Sequence, residues 1–294
     1  MPDSAIKSLA DKLYKEQPDS VLYHYTSISG MIGIVKSKVL WASEIRYLND
    51  AAELKHLQQI VVDVVKAVGE QSDTVSEISR QFGKWLTERV QREPLVFVVS
   101  LTEKGNLLSQ WRGYTPYGQG VSLGFSPQHL AKVTASASFT LGKCIYKPDQ
   151  HNEIVVKLLN SIVSEAQNRG PSHEKHPSQS YHTYFEEVEE HILRICALLK
   201  HHSFEEESEW RAVSQTHSNF VIPPIEYRPG KSFLIPHIEL PLSLPGEGLM
   251  MPDVIVGPTP TPDLSMASIS MYLSKYAPTT EPRRVYYSMI PFRG

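Results

Sequence analysis

The chain has 294 residues, of which 41% are hydrophobic and 21% charged, a composition typical of a folded protein with a sizeable core and not of a disordered one. Its formal net charge of −3 argues against a dedicated nucleic-acid binder, because an excess of cations is what displaces counterions from phosphates. Cys144 and Cys196, the only two cysteines, exclude a disulfide scaffold and a multi-cysteine zinc ribbon, so we expect reduced thiols and a cytoplasmic location.

The first half of the chain predicts short strands alternating with helices. Residues 1–17 carry acidic side chains and no apolar signal core, which predicts a polar amphipathic helix and no secretory leader. A strand over 21–25 then leads into a short helix, for which Thr26 and Ser27 offer N-cap hydroxyls. Periodicity further predicts a strand at 39–42, helices at about 49–68 and 73–91, and strands at 95–100, 118–125 and 139–146.

The second half predicts two helices and then a cluster of strands. The helices cover 151–168 and 181–202, and the strands cover 209–214, 220–227, 232–240, 253–256 and 284–289. Late prolines, between Pro223 and Pro291, indicate short strands and loops. No stretch reaches the roughly 18 apolar residues of a membrane span, so we expect no membrane partner.

The order of these elements predicts an α+β fold. Strands come in clusters without strict β-α-β alternation, and no Gly/Ser linker divides the chain. We therefore expect an N-terminal helix over 1–20 and one α+β domain over 21–294, with helical insertions at about 51–92 and 151–202.

Two pairs of residues at strand ends are candidates for ligand contacts. His24 lies in the first strand and Thr26 where a helix begins, a place where free backbone N–H groups favour anions or sugars. Alternatively, His24 is a half-buried strand histidine and Thr26 a helix cap. Ser100 and Thr102 share one face at the end of a buried strand. They can hold an amide or a ribose, or they simply precede a turn.

An aromatic and basic segment, Ser109–Tyr114, is a third candidate. Trp111 and Tyr114 can stack on a flat ring, and Arg112 can contact a phosphate, as in many nucleotide sites. The alternative is that both aromatic residues, which are one helical turn apart, belong to the core.

Four glutamates lie just before or at the start of a predicted strand. Glu207 and Glu209 share a face if the strand has begun, which makes one of them a candidate general base or a partner for a sugar hydroxyl. A solvated charged surface accounts well for Glu205 and Glu206. It accounts less well for Glu209, because Trp210 implies immediate entry into the sheet.

Several familiar sites are missing from the sequence. No GxGxxG, P-loop, HExxH or GxSxG motif occurs, which disfavours dinucleotide Rossmann, kinase, zincin and α/β-hydrolase enzymes. The loop histidines His173 and His176 have no carboxylate at a recognised ligand spacing, so we expect no metal.

The order of motifs resembles a bacterial family catalogued as domain of unknown function 2971, over roughly Leu22 to Arg293. The motifs that carry this resemblance are Leu22–Thr26, Leu40–Ser43, Leu48–Glu53, Ser109–Tyr114 with Gly120, Phe204–Arg211 and Val256–Pro258. That family is in turn distantly similar to ADP-ribosyltransferases. These enzymes place a His or Arg on a first strand, a Ser-x-Ser/Thr or a Tyr on a middle strand, and a Glu, often Glu-x-Glu, on a late strand. The resemblance implies a central split mixed or antiparallel sheet, enlarged here by helical insertions.

The same resemblance implies a role for each candidate residue, with NAD as substrate. His24 and Thr26 would hold the NAD ribose or the nicotinamide amide, while Ser100 and Thr102 fall in the order of the middle-strand motif. Glu209 would bind the nicotinamide ribose and stabilise the positive charge that forms as nicotinamide leaves. Glu207 would orient or deprotonate the acceptor.

An aromatic residue would stack on the nicotinamide, and four compete for this role: Tyr25, Tyr47, Trp111 and Tyr114. No middle-strand tyrosine is obvious, and the long helical segment at 51–92 is unlike a minimal toxin.

The expectation is therefore an ADP-ribosyltransferase-like enzyme in a toxin or anti-phage role, which transfers ADP-ribose to a protein or nucleic-acid acceptor. One alternative is a catalytically inactive module that binds a nucleotide or a protein through the region of His24 and Trp111. A second alternative is a metal-independent nucleic-acid-processing enzyme, which the net charge does not support.

Overall fold

The structure, a computed structural model, describes residues 4–48, 73–92, 95–217, 224–230, 232–279 and 282–291. The helices of these residues are α1 (Ala5–Leu13), α2 (Ile28–Ser37), α3 (Asp73–Arg92), α4 (Leu108–Tyr114), α5 (Pro127–Ser136), α6 (Pro148–Arg169), α7 (His182–Cys196) and α8 (Pro262–Tyr276). The strands are β1 (Leu22–Ser27), β2 (Val39–Glu44), β3 (Phe97–Thr102), β4 (Gly120–Phe125), β5 (Phe139–Lys143), β6 (Glu209–Ser214), β7 (Glu226–Pro229), β8 (Leu234–Pro241), β9 (Asp253–Val256) and β10 (Arg284–Tyr287).

Within the described residues, the ten strands form one mixed sheet. Its main path runs β10-β9-β4-β1-β3-β2-β8-β7, and β6 joins β3 to β5 off that path. Among the pairs of named strands in the described residues, β9–β10 is parallel and the others are antiparallel. The predicted α+β class with one mixed sheet is confirmed.

One edge of β3 is shared by two strands. Since β6 pairs with β3 from Val98 to Thr102, it occupies the other edge. On the shared edge, β2 pairs at Phe97 and Val98 and β1 pairs at Thr102. Neither strand pairs with Ser100, so the sheet is split there. In this split, the Nδ1 atom of His24 lies 3.1 Å from the Ser100 carbonyl oxygen.

Helices cover both faces of the sheet because the strands alternate apolar side chains between them. Phe97, Val99 and Leu101 of β3 point into a core that includes residues of α2, α5 and α8. Val98 of β3 and Val213 of β6 point the other way, into a core built with α1, α3, α6 and α7. No helix of the described residues is both long enough and apolar enough to cross a bilayer.

The structure contains two helices that the sequence does not predict. The region of late prolines was expected to hold strands and loops, but it contains α8, because Pro262 at the first turn starts a helix where its missing N–H costs nothing. The helix α5, which was not predicted, begins in the same way at Pro127, and the Ser126 hydroxyl accepts a bond from the His129 N–H.

The helix predicted over 181–202 ends earlier than expected, at Cys196. The Ile145 N–H donates to the Leu198 carbonyl at 2.8 Å, and the Lys200 N–H donates to the Ile145 carbonyl at 2.9 Å. These bonds draw the chain out of the helix and alongside the segment that follows β5. The helix predicted at 49–68 and the start of the strand predicted at 220–227 lie outside the described residues.

The residue that follows α1, Tyr14, packs closely against Gly142 of β5, and a substitution at Gly142 can test this contact. A Cβ at this position would lie 2.7 Å from the ring of Tyr14, whose hydroxyl donates a 2.8 Å bond to the Arg194 carbonyl oxygen. Because the ring is held in place, we expect Gly142→Ala to destabilise the fold by about 1–3 kcal/mol, seen as a lower urea midpoint.

The matched control is Gly113→Ala on α4, where an added Cβ meets nothing within 4 Å among the described residues. Its midpoint should stay the same or rise, because alanine favours the helix. Equal loss of stability in both variants would contradict the packing described for Gly142.

Candidate active site

Polar side chains interrupt one face of the sheet beside the split. Ser100 and Thr102 follow Val98 on β3 at two-residue spacing, and Arg211 and Glu209 lie opposite them on β6. Paired residues of neighbouring strands point to the same face, so all four polar side chains lie on the face that Val98 shares with the helical core.

A cavity of about 610 Å³ opens along this split, a volume in the range of small-molecule sites. A narrow pocket of about 70 Å³ shares part of its lining. The residues common to both are His24, Tyr25, Ser100 and Tyr114. The large cavity is also lined by Thr26, Trp41, Tyr47, Arg211, Arg228 and Glu239, and the narrow pocket by Thr102, Glu207 and Glu209.

The structure thus brings together most of the candidate residues and leaves two outside. Trp111 lines neither cavity: its ring packs edge-on against Tyr25 at 4.6 Å, and its Nε1 donates to the Asn106 side-chain oxygen at 2.9 Å. Arg112 is exposed and also lines neither cavity. For Trp111, the alternative of a core residue is therefore the better description.

The position of His24 determines which of its ring nitrogens carries the proton. A carbonyl oxygen can only accept a hydrogen bond, so the Nδ1 atom facing Ser100 is the donor. Burial lowers the pKa of His24, which keeps the ring neutral near pH 7. A neutral ring protonated at Nδ1 offers Nε2 as an acceptor, which suits a ligand hydroxyl or amide N–H.

A buried lysine that the sequence analysis missed joins the two carboxylates. Lys200 is 1% exposed, and its Nζ donates at 2.6 Å to Oε2 of Glu207 and at 2.6 Å to Oε2 of Glu209. Arg211 adds a forked contact to Glu209, from Nε to Oε1 at 2.9 Å and from Nη2 to Oε2 at 3.2 Å. In the sequence, Lys200 is distinguished only as a cation that follows an apolar run and precedes the glutamates by a few residues.

These contacts fix the charge of Glu209. Burial alone would raise the pKa of the carboxyl group, but the adjacent Arg211 and Lys200 cations hold it at about 2. Glu209 is therefore an anion throughout the neutral range. It cannot act as a general base near pH 7, but it can stabilise positive charge.

The backbone around the two carboxylates is also held. Ser208 adopts a left-handed conformation with φ 44°, which turns the chain sharply between Glu207 and Glu209. The Thr102 hydroxyl donates to the Glu207 carbonyl oxygen, and the Glu209 N–H donates to the Tyr146 hydroxyl at 2.7 Å. The Thr102 hydroxyl is thus a positioning group for the Glu207–Glu209 segment.

The aromatic residues of the cavity differ in how they are engaged. The Tyr25 hydroxyl donates to the Lys104 carbonyl and accepts from the Leu107 N–H, so this side chain anchors the loop after β3. The Tyr114 hydroxyl donates to Oε1 of Glu207 at 3.2 Å, which places its ring beside the carboxylates.

The start of α2 is less open to anions than the sequence suggested. The N-cap is Ser27, not Thr26; its hydroxyl accepts from the Gly30 N–H, and the Ile28 N–H donates to the Gln119 carbonyl oxygen. Arg228 supplies a cation in the cavity instead, with Nη2 donating to the Ser43 hydroxyl at 3.0 Å. Among the described residues, no group of three or more His, Cys, Asp or Glu side chains could hold a metal.

Residues 110–212 match the model of a family described as protein of unknown function (DUF2971). The matched stretch carries Tyr114, Lys200, Glu207, Glu209 and Arg211, and it confirms the resemblance to this family over these residues. No curated protein and no solved structure gives a significant match to the chain.

The ion cluster around Lys200 generates a stability prediction. Lys200→Met leaves two buried carboxylates without their shared cation, so we expect a loss of about 3–5 kcal/mol in the free energy of unfolding at pH 7. The carboxyl groups left behind can take up protons as the pH falls. The loss should therefore shrink at pH 4, as measured by urea unfolding at both pH values.

The matched control is Lys157→Met, which removes a lysine from an exposed ion pair with Glu153. Its stability should stay close to that of the wild type at both pH values. A loss that is equally large at pH 7 and pH 4 for Lys200→Met would indicate lost packing and not lost charge.

Proposed function

We propose that the chain is an ADP-ribosyltransferase-like enzyme, which cleaves NAD at the nicotinamide glycosidic bond and transfers ADP-ribose to a macromolecular acceptor. The proposal rests on one observation: the ionised Glu209 carboxylate shares a narrow pocket with His24 and Ser100 beside the split of the sheet. In this proposal the protein acts in the cytoplasm as a toxin or an anti-phage effector.

The chemistry of the bond explains why a fixed carboxylate matters. When the ribose C1′–N bond breaks, its electron pair leaves with nicotinamide, and positive charge develops on C1′ and the ring oxygen of the ribose. An anion held in place stabilises that charge without reorganising during the reaction. Lys200 and Arg211 hold Glu209 in this way and keep it ionised.

The other residues of the pocket fit supporting roles. Nε2 of His24 would accept a hydrogen bond from a ribose hydroxyl or from the nicotinamide amide. The ring of Tyr114 would stack on the nicotinamide, because it lines both cavities beside the carboxylates. The Glu207 side chain is 11% exposed against 5% for Glu209, so Glu207 is the better placed to orient an incoming acceptor.

A second candidate function is a module that binds a nucleotide without turning it over. One observation favours it: Lys200 and Arg211 already contact both carboxylate oxygens of Glu209, so these two cations already offset much of the negative charge that a substrate would need. In that case the carboxylates stabilise the start of β6, and the large cavity alone binds the nucleotide.

Release of nicotinamide from labelled NAD, in the presence of cell extract, tests the enzyme proposal. We expect Glu209→Gln to lower the rate by about 100-fold or more, because the amide keeps the shape of the side chain and removes its charge. The matched control is Glu206→Gln, an exposed carboxylate in the same segment, which should leave the rate unchanged.

His24→Ala supplies a second variant that does not touch the ion cluster, and circular dichroism should show that each variant is folded. Binding of NAD without any release by the wild type would favour the binding module. Neither binding nor release with any extract would contradict both functions.

A further inference from the structure

Trp41 stands apart from the other tryptophans of the chain. It is 52% exposed on β2, whereas Trp85, Trp111 and Trp210 are each at most 4% exposed. Its side chain lines the large cavity, and it lies on the same face as Ser43, two residues further along β2. A large apolar ring is thus open to solvent where the cavity is entered.

The Trp41 ring contacts a second ring of the protein. The His237 ring lies 4.5 Å away between centroids at an interplanar angle of 40°, and it is itself buried. Burial lowers the pKa of His237, so this ring carries no charge near pH 7. Trp41 remains 52% exposed despite this contact, so a large part of the indole is available to stack on a flat ring.

The charged neighbours of Trp41 indicate which part of a nucleotide fits there. Glu239 lies directly opposite Trp41 on β8 and lines the same cavity. Its carboxylate accepts hydrogen bonds from an amino group and repels a phosphate. Arg228 lines the same cavity and donates to the Ser43 hydroxyl, about 7 Å along β2 from Trp41, where β2 pairs with β3.

These groups line the two walls of the split, which is closed where Ser43 of β2 pairs with Val98 of β3. Because β2 and β3 are antiparallel, Ser100, two residues beyond Val98 and next to His24, lies level with Trp41 on the opposite wall. The cavity therefore presents a ring platform with a hydrogen-bond acceptor on one wall, a cation at the closed end, and the pocket of His24 and Glu209 on the other wall. A dinucleotide that folds back at its phosphates has the same order: base, phosphates and the second ribose.

We propose that Trp41, backed by His237 and flanked by Glu239, binds the adenine ring of the nucleotide at the mouth of the cavity. This inference rests on the proposed function and deepens it, because it fixes the orientation of NAD. The adenine amino group donates to Glu239, the phosphates contact Arg228, and the nicotinamide ribose reaches Glu209.

Tryptophan fluorescence and calorimetry test this subsite with AMP, ADP-ribose and nicotinamide mononucleotide as probes. AMP and ADP-ribose should quench the emission of the wild type, because Trp41 is its one exposed tryptophan among residues that the structure describes. In Trp41→Phe the quenching should disappear, while the calorimetric Kd for ADP-ribose changes by less than about threefold.

Trp41→Ala should weaken the binding of AMP and ADP-ribose by about tenfold or more. The same variant should leave the affinity for nicotinamide mononucleotide unchanged, because that probe has no adenine. Tyr276→Ala, which removes an exposed aromatic ring from α8, is the matched control and should bind all three probes like the wild type.

Failure of this inference is distinguishable from failure of the proposed function. AMP that does not bind, or that binds Trp41→Ala as tightly as the wild type, overturns the adenine site even if nicotinamide is released. Binding of AMP that depends on Trp41, in a protein that never releases nicotinamide, supports the adenine site and counts against the enzyme. Quenching by a protein of the extract and not by AMP also overturns the inference.

Discussion

The arrangement on which the site depends is the sharing of one edge of β3 by β1 and β2. The two strands pair at opposite ends of this edge and leave Ser100 between them, where the Nδ1–H of His24 satisfies the backbone oxygen. A buried carbonyl without a partner is costly, so this bond stabilises the split. The split in turn opens the cavity and exposes the polar residues of β3 and β6 to it.

The second constraint is the charge that the sheet buries at the start of β6. Ions taken out of water are destabilising unless they are paired with good geometry, and Lys200 with Arg211 supplies that pairing for Glu207 and Glu209. These contacts join three separate segments: the chain after α7, the turn before β6 and β6 itself. The contacts that offset the cost of burying the carboxylates also hold them in a defined position.

Patterns that depend on near neighbours could be predicted from the sequence, and those that depend on tertiary contacts could not. The strand from Glu209 to Ser214 could be predicted because an apolar stretch follows the acidic residues directly. Lys200 was missed because the periodicity predicted a helix through it, and only its pairing with Ile145 brings it beneath the acids. For Trp41 the sequence predicts only a strand position, because its contact with His237 depends on where β8 lies.

We propose that the split of the sheet holds NAD with its nicotinamide ribose at Glu209. A crystal structure of the wild-type chain with carba-NAD, whose carbocyclic ring cannot release nicotinamide, tests it most directly. We expect the hydroxyl groups of the carbocyclic ring to lie within hydrogen-bond distance of Glu209 or His24. The adenine ring should stack on Trp41. A nucleotide bound outside the split, or a cavity that stays empty at saturating carba-NAD, would contradict the account.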